Sequence, residues 1–296
     1  MERRVLVTGS SGFIGQAVVR ALTAHGCQVR PFDLVTGQDV LNRDQLRGAL
    51  RNVYSVVHLA APSSIVHFAQ NPTECRRTTV EGTANLLSLF EGRVIVPSTA
   101  GVYAATAALA REGVSSLMPV NAYADAKLAV EELCATANAH GRDAKVLRIF
   151  TGYGPDEWRK GAAASPVMHV IAALRSGERP EIFGDGRQRR DCVYIDDIVA
   201  AIVRTLDVNT VETTFNVGTG CAVSLLEVVD EANRQLGTSF RPTFIKPRFP
   251  VAPLLAADIA RSASILGFRA VVTLADGIRN TIRAYEAAPL MQAGRA

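Results

Sequence analysis

The sequence predicts an α/β protein built on a doubly wound parallel sheet, with a smaller mixed α/β region toward its C-terminal end. Three observations lead there. Apolar strand-like runs alternate with helical spacings through the first half of the chain. The first run, Val5-Leu6-Val7, leads into Gly9, Gly12 and Gly15 and then directly into a helix. Gly9, Asp33, Ala60 and Thr99 each fall at or just past the end of an expected strand. Ligands gather at the carboxyl ends of strands in such sheets.

The opening run reads as a buried strand, and Gln16 to Ala24 as a helix with Ala17, Val18, Ala21 and Leu22 on one side. Glycines between them allow a tight turn and close approach to a pyrophosphate. The first helical turn then presents unpaired N–H groups and a positive dipole end to that anion. Cys27 to Phe32 reads as a second strand ending at Asp33. A carboxylate at this distance suits a ribose 2′-hydroxyl and repels a 2′-phosphate. No arginine follows it directly, which favours NAD over NADP.

Val35 to Asn42 is a turn-rich link, and Arg43 to Leu50 a short helix. Tyr54 to Leu59 is a strand running into Ala60 and Ala61, small residues that let a cofactor ring come close. Pro72 marks a helix start, with helical spacing continuing through Leu89. Arg93 to Pro97 is the next strand, followed by Ser98 and Thr99. Ala104 to Met118 reads as a loop with a helical piece, Pro119 to Ala139 as one long helix, and Lys145 to Phe150 as a strand. Beyond Phe150 the rhythm loosens. Gly184 to Asp191 is a turn carrying three arginines, Asp196-Asp197 offers a cap for a helix from Ile198 to Leu206, and Phe215 to Val217 is strand-like. The expected division is a nucleotide-binding domain of residues 1–160 and about 192–222, with a substrate region of about 161–191 and 223–296.

Composition bounds the function. The chain has 296 residues, 48% hydrophobic and 20% charged, which suits a globular core and not a disordered chain. A net charge of +4 is too small and scattered to imply nucleic acid. No apolar run is long enough to span a membrane. The five cysteines and five histidines show no metal-ligand spacing, so no metal is expected, and the thiols suit a reducing, cytoplasmic setting.

Tyr123 and Lys127 lie four apart on the expected long helix, hence on one face. An ammonium about 5 Å from a phenol stabilises the phenolate by roughly 3 kcal/mol at an effective dielectric near 20. That lowers its pKa by about two units, toward a base able to take a proton from an alcohol as hydride leaves the same carbon. By itself this spacing is commonly plain helix surface. It gains meaning after a glycine turn, an acidic strand end and Ser98-Thr99.

Together these motifs resemble the extended short-chain dehydrogenase/reductase family, in its NAD-dependent sugar-nucleotide epimerase/dehydratase branch. The resemblance implies a Rossmann-type fold and covers nearly the whole chain. It places the nucleotide loop at Thr8 to Gly15, including Ser11, Phe13 and Ile14. Asp33 becomes the ribose acid, Asp39 and Val40 the adenine-contacting pair, and Leu59, Ala60 and Ala61 part of the following strand segment. Thr99, Tyr123 and Lys127 become the catalytic set, with Tyr123 and Lys127 also touching NAD. Arg190 and Arg248 become the grip on a sugar-nucleotide diphosphate.

Departures from the family pattern are informative. Ala100 and Gly101 stand where dehydratases carry Asp-Glu, and a glutamate used by decarboxylating relatives is also missing. Thr79 and Thr151 replace customary asparagines. The resemblance thus implies an NAD-dependent epimerase of a nucleoside-diphosphate sugar, at C4 through a transient 4-keto sugar, working as a homodimer. A keto-sugar reductase or dehydrogenase using NAD(P)H, and a non-catalytic cofactor-binding protein, are the alternatives.

Overall fold

The structure, a computed structural model, describes residues 3–103, 109–246 and 253–287. Its first half alternates strand and helix: β1 (Arg4–Thr8), α1 (Phe13–Ala24), β2 (Gln28–Phe32), α2 (Arg43–Ala49), β3 (Ser55–His58), α3 (Ile65–Gln70), α4 (Pro72–Leu89), β4 (Arg93–Thr99), α5 (Ala122–Ala139) and β5 (Asp143–Ile149). There follow β6 (Thr151–Tyr153), α6 (Pro166–Arg175), β7 (Glu181–Phe183), β8 (Arg189–Tyr194), α7 (Ile195–Asp207) and β9 (Thr214–Val217). The last elements are β10 (Ala222–Ser224), α8 (Leu225–Leu236), β11 (Thr243–Ile245), β12 (Leu254–Leu255), α9 (Ala260–Ile265) and α10 (Leu274–Ala287).

Six strands form the main sheet in the order β2-β1-β3-β4-β5-β9, and every neighbouring pair is parallel. The chain leaves β1 toward β2, then crosses back to β3 on the other side. That reversal opens a crevice at the carboxyl ends of β1 and β3, where ligands bind in folds of this kind. Both faces are covered, as a parallel sheet requires. Alternate strand residues serve opposite layers: Val5, Val7, Val57, Ile95 and Leu147 pack with α1 and α7, while Leu6, Val56, Val94, Val96 and Val146 pack under α4 and α5. The smaller region has β8 between β10 and β12, with β6 also paired to β8, and a separate parallel pair of β11 and β7.

Several boundaries differ from expectation. Helix α1 begins at Phe13, not Gln16, because Gly12 is its N-cap and Gly15 lies inside it. Helix α5 begins at Ala122, since Asn121 caps it by accepting from the Ala124 N–H; the three preceding residues stay outside. Residues 104–108 lie outside the described residues, and 109–118 hold no helix. Short α3 was not foreseen; Ser64 caps it through the His67 N–H. Asp196 and Asp197 lie within the first turn of α7, after Tyr194 at the N-cap. Asp197 instead accepts from the Val271 and Val272 N–H groups, tying α7 to the chain leading into α10.

Candidate active site

A cavity of about 650 Å³ follows the crevice from the β2 side to the β4 side. Gly9, Ser11, Gly12, Phe13, Ile14 and Gly15 line it at the first turn, and Asp33, Asp39 and Val40 toward β2. Leu59, Ala60 and Ala61 line it after β3, and Thr99, Tyr123 and Lys127 toward β4 and α5.

The glycines have different reasons. A Cβ on Gly15 would lie 2.0 Å from the Gly9 carbonyl oxygen, and one on Gly9 would lie 2.6 Å from the Leu59 backbone. Those two let β1, β3 and α1 close on one another. A Cβ on Gly12 would meet only the Gly9 oxygen, at 3.3 Å, so here the missing side chain leaves room in the cavity. Gly12 caps α1 without a side-chain bond, leaving the first-turn N–H groups available to an anion. Asp33 is fixed by two backbone donors, Ser11 N–H at 2.8 Å and Val35 N–H at 2.9 Å. An open anion cradle, a fixed carboxylate and a long cavity beside them suit a dinucleotide.

The floor after β3 hangs on a buried relay. The Ala60 N–H donates to Thr8 Oγ1, which lies 2.8 Å from His58 Nδ1. His58 Nε2 lies 3.1 Å from Thr83 Oγ1, and Thr83 donates its own proton to the Thr79 carbonyl. Thr83 can therefore only accept from His58, which assigns the proton to Nε2 and leaves Nδ1 to accept from Thr8. Burial first, and then the Lys127 charge, lower the His58 pKa to about 3, so the ring is neutral. Thr79, one of the departures noted above, spends its hydroxyl on the Cys75 carbonyl.

At the β4 end the Thr99 hydroxyl accepts from the Gly101 N–H and lines the cavity together with the Tyr123 phenol. The expected lowering of the phenol by Lys127 is absent. Burial pushes Tyr123 up to about 12, opposed by the neighbouring Thr99 hydroxyl, and the lysine is not among its causes. Lys127 shares the helix face, but its Nζ donates to the Pro97 carbonyl at 2.9 Å. Burial lowers Lys127 to about 8, against the opposing pull of Cys134 and Glu131.

A second cavity of about 300 Å³ adjoins the first. Ser63, Thr99, Tyr123, Ile149, Phe150, Gly152 and Lys160 line both, so the Thr99–Tyr123 pair stands at their junction. Arg190 lines the second cavity only, with Nη1 donating to the Arg189 carbonyl. Its neighbour Asp191 is fully buried and accepts from Thr219, Gly220 and Ala257, a role in holding the 218–220 turn. Ala100 and Gly101 also line this cavity, and Glu157 is the acid on its wall among the described residues. Arg248 lies outside the described residues.

Other residues here escaped the sequence reading. Glu157 and Lys160 sit in an irregular stretch without periodicity, so nothing local marks them. Glu131 is the exception: it follows Lys127 by four residues on α5, a spacing open to inspection. It accepts from Ser98 Oγ and forms a buried 2.6 Å ion pair with Arg148, whose guanidinium lies over the Tyr103 ring.

Known proteins share this arrangement of the chain. A UDP-glucose 4-epimerase of Mycolicibacterium smegmatis is 31% identical, covering 94% of this chain and 97% of its own. UDP-glucuronic acid decarboxylase 1 of Xenopus tropicalis is 25% identical over 95% of this chain and 72% of its own. The UDP-glucose 4-epimerase of Thermus thermophilus, solved as a complex with NAD, superposes with a TM-score of 0.87 at 26% identity, covering 97% of this chain and 100% of that one. A family model matches residues 5–218, from the first strand through the sixth strand of the main sheet. With the glycine turn, the fixed Asp33 and the Tyr123–Thr99 pair all inside that span, the chain belongs to the NAD dependent epimerase/dehydratase family.

Proposed function

We propose that this chain is an NAD-dependent epimerase of a nucleoside-diphosphate sugar, inverting C4 through a transient 4-keto sugar. The observation that carries this is the placing of Thr99 and Tyr123 together at the junction of two cavities, one shaped for a dinucleotide and one open to a second ligand. The glycine turn from Gly9 to Gly15 and Asp33 would hold the pyrophosphate and adenosine ribose, with Asp39 and Val40 beside the adenine. Leu59, Ala60 and Ala61 would line the middle, and Lys127 the nicotinamide ribose. When bound, NAD supplies the hydride acceptor and, while oxidised, a positive charge beside the phenol.

Tyr123 would take the proton of the sugar C4 hydroxyl and return it after the keto sugar has turned over. Thr99, lining the same junction as the phenol, would hold that hydroxyl in line. With its pKa at about 12, the phenol is a reluctant base, so positive charge next to it must stabilise the phenolate. The oxidised nicotinamide would supply that charge, since Lys127 reaches back to the Pro97 carbonyl. Arg190 and Arg248 would grip the diphosphate as bidentate donors. Ala100 and Gly101 bring no acid to the sugar, which argues against water elimination and decarboxylation.

In this reading residues 1–160 and about 192–222 form the cofactor domain, and about 161–191 and 223–296 the substrate region. The protein would act in the cytoplasm, where its free cysteines stay reduced, and as a homodimer packed through helices such as the alanine-rich α5. Incubation with a panel of UDP-, dTDP- and GDP-sugars, read by NMR, tests the function. The expected result is the C4 epimer of one of them without added NADH. Net consumption of NADH would favour a reductase instead.

A further inference from the structure

We propose that Lys160 binds a carboxylate carried by the sugar itself, so that this site takes a nucleoside-diphosphate hexuronate; this rests on the epimerase reading above. The charged side chains lining the second cavity, among the described residues, are Glu157, Lys160 and Arg190. Glu157 is held by Ser165 and pairs with Lys160 at long range. It is 0% exposed, one oxygen accepts from the Ser165 N–H at 2.7 Å, and the other accepts from Ser165 Oγ at 2.8 Å.

Lys160 reaches only to 3.7 Å from that carboxylate, long for a hydrogen bond, and its ammonium stands 5.7 Å from the Phe13 ring centroid. Its side chain is 24% exposed. An ammonium has three donors, and one this far withdrawn from water gains from a directly bonded anion.

Position says which anion. Lys160 lines both cavities together with Thr99 and Tyr123, whereas Arg190 lines only the second. The lysine thus stands at the end where a sugar would react, and the arginine at the end left for a diphosphate. A neutral hexose would offer the ammonium hydroxyls alone. A carboxylate on the ring would give the ammonium a directly hydrogen-bonded anion beside its longer pair with Glu157. The backbone is bent on either side of Lys160. Asp156 holds a left-handed φ of 68° and Gly161 one of 52°, and a non-glycine residue in that region costs energy. The other anion within reach of Phe13 is the cofactor pyrophosphate, and the test separates the two.

In the Tyr123→Phe background, which slows turnover, the NAD-loaded protein is titrated with UDP-glucuronate and UDP-glucose by calorimetry. Lys160→Met and Lys160→Arg are added to it in turn, and NAD affinity is measured for each. The expected result is tighter binding of UDP-glucuronate by at least about tenfold, the share of a charge-assisted hydrogen bond. Lys160→Met brings the ratio near one, and Lys160→Arg keeps most of it. No preference in the starting protein, or a ratio untouched by Lys160→Met, overturns the proposal. Equal weakening of both sugars together with NAD assigns the ammonium to the pyrophosphate and also overturns it. The two readings fail separately. A Lys160-dependent preference without C4 inversion sinks the epimerase alone, and C4 inversion with no such preference sinks only the lysine's role.

Discussion

Burial holds Lys127 at a pKa of about 8 and His58 at about 3. Both groups bind fewer protons in the folded chain than in the unfolded one, so each adds stability as pH rises through its own window. For Lys127 the window runs from about 8 to 10.5, and below it the buried ammonium opposes folding in full. For His58 the window is about 3 to 6.5, and its contribution is lost as pH falls through it. Urea unfolding between pH 6.5 and 4.5 should therefore show a shallower pH slope in His58→Gln, by up to about 1.4 kcal/mol per pH unit. An unchanged slope would mean that the ring is not held neutral. Tyr123→Phe should lower kcat by about 10²- to 10⁴-fold with an unchanged circular dichroism spectrum. A loss under about tenfold would remove Tyr123 from proton transfer. Spacing put Tyr123 and Lys127 on one helix face and Thr99 at a strand end, while grouping the three came from the family resemblance. The direction of the phenol's shift was not legible, because spacing places two side chains on one face without saying how deeply they are buried or that lysine reaches back to Pro97.

Among the elements, the β1–turn–α1 unit was the most legible, since three glycines between a strand and a helix permit few shapes. Its sharpest test is Gly15→Ala. The added methyl would lie 2.0 Å from the Gly9 oxygen, so turn and helix must part. The expected cost is about 1–3 kcal/mol, seen as a lower midpoint in urea unfolding, with weaker NAD binding. A midpoint within error of the parent would show that the turn has slack. Helix α1 begins earlier than its periodicity implied because a glycine caps it without any side-chain bond. Helix α3 has six residues, too few for a pattern to emerge, and rests on its Ser64 cap. The departure of Asp197 from a capping role was unreadable for another reason: its partners, Val271 and Val272, lie more than seventy positions away.

At the scale of the whole molecule, a buried polar network ties the site to both halves. Ser98 beside Thr99 bonds Glu131, which pairs with Arg148 on β5. Arg148 lies over Tyr103, whose hydroxyl donates to Asn216 on β9, and the Asn216 carbonyl accepts from Ser262 on α9. Glu131→Gln would strand a buried guanidinium and should cost about 3–5 kcal/mol in urea unfolding, with much of that recovered in the Glu131→Gln, Arg148→Met double variant. Simple additivity of the two losses would contradict a coupled pair. The doubly wound class was plain from alternating runs, but the seating of β9 next to β5 was not, because sixty-four residues separate them and only packing brings them together. All of this serves one claim, that the same hydrogen leaves C4 and returns to it inside a closed site. NMR of a UDP-sugar carrying deuterium at C4, incubated with the protein and NAD, tests it most directly. The account predicts the C4 epimer with the deuterium retained and no free NADH. Loss of the deuterium to solvent, or product formed only as NADH accumulates or is consumed, would contradict it.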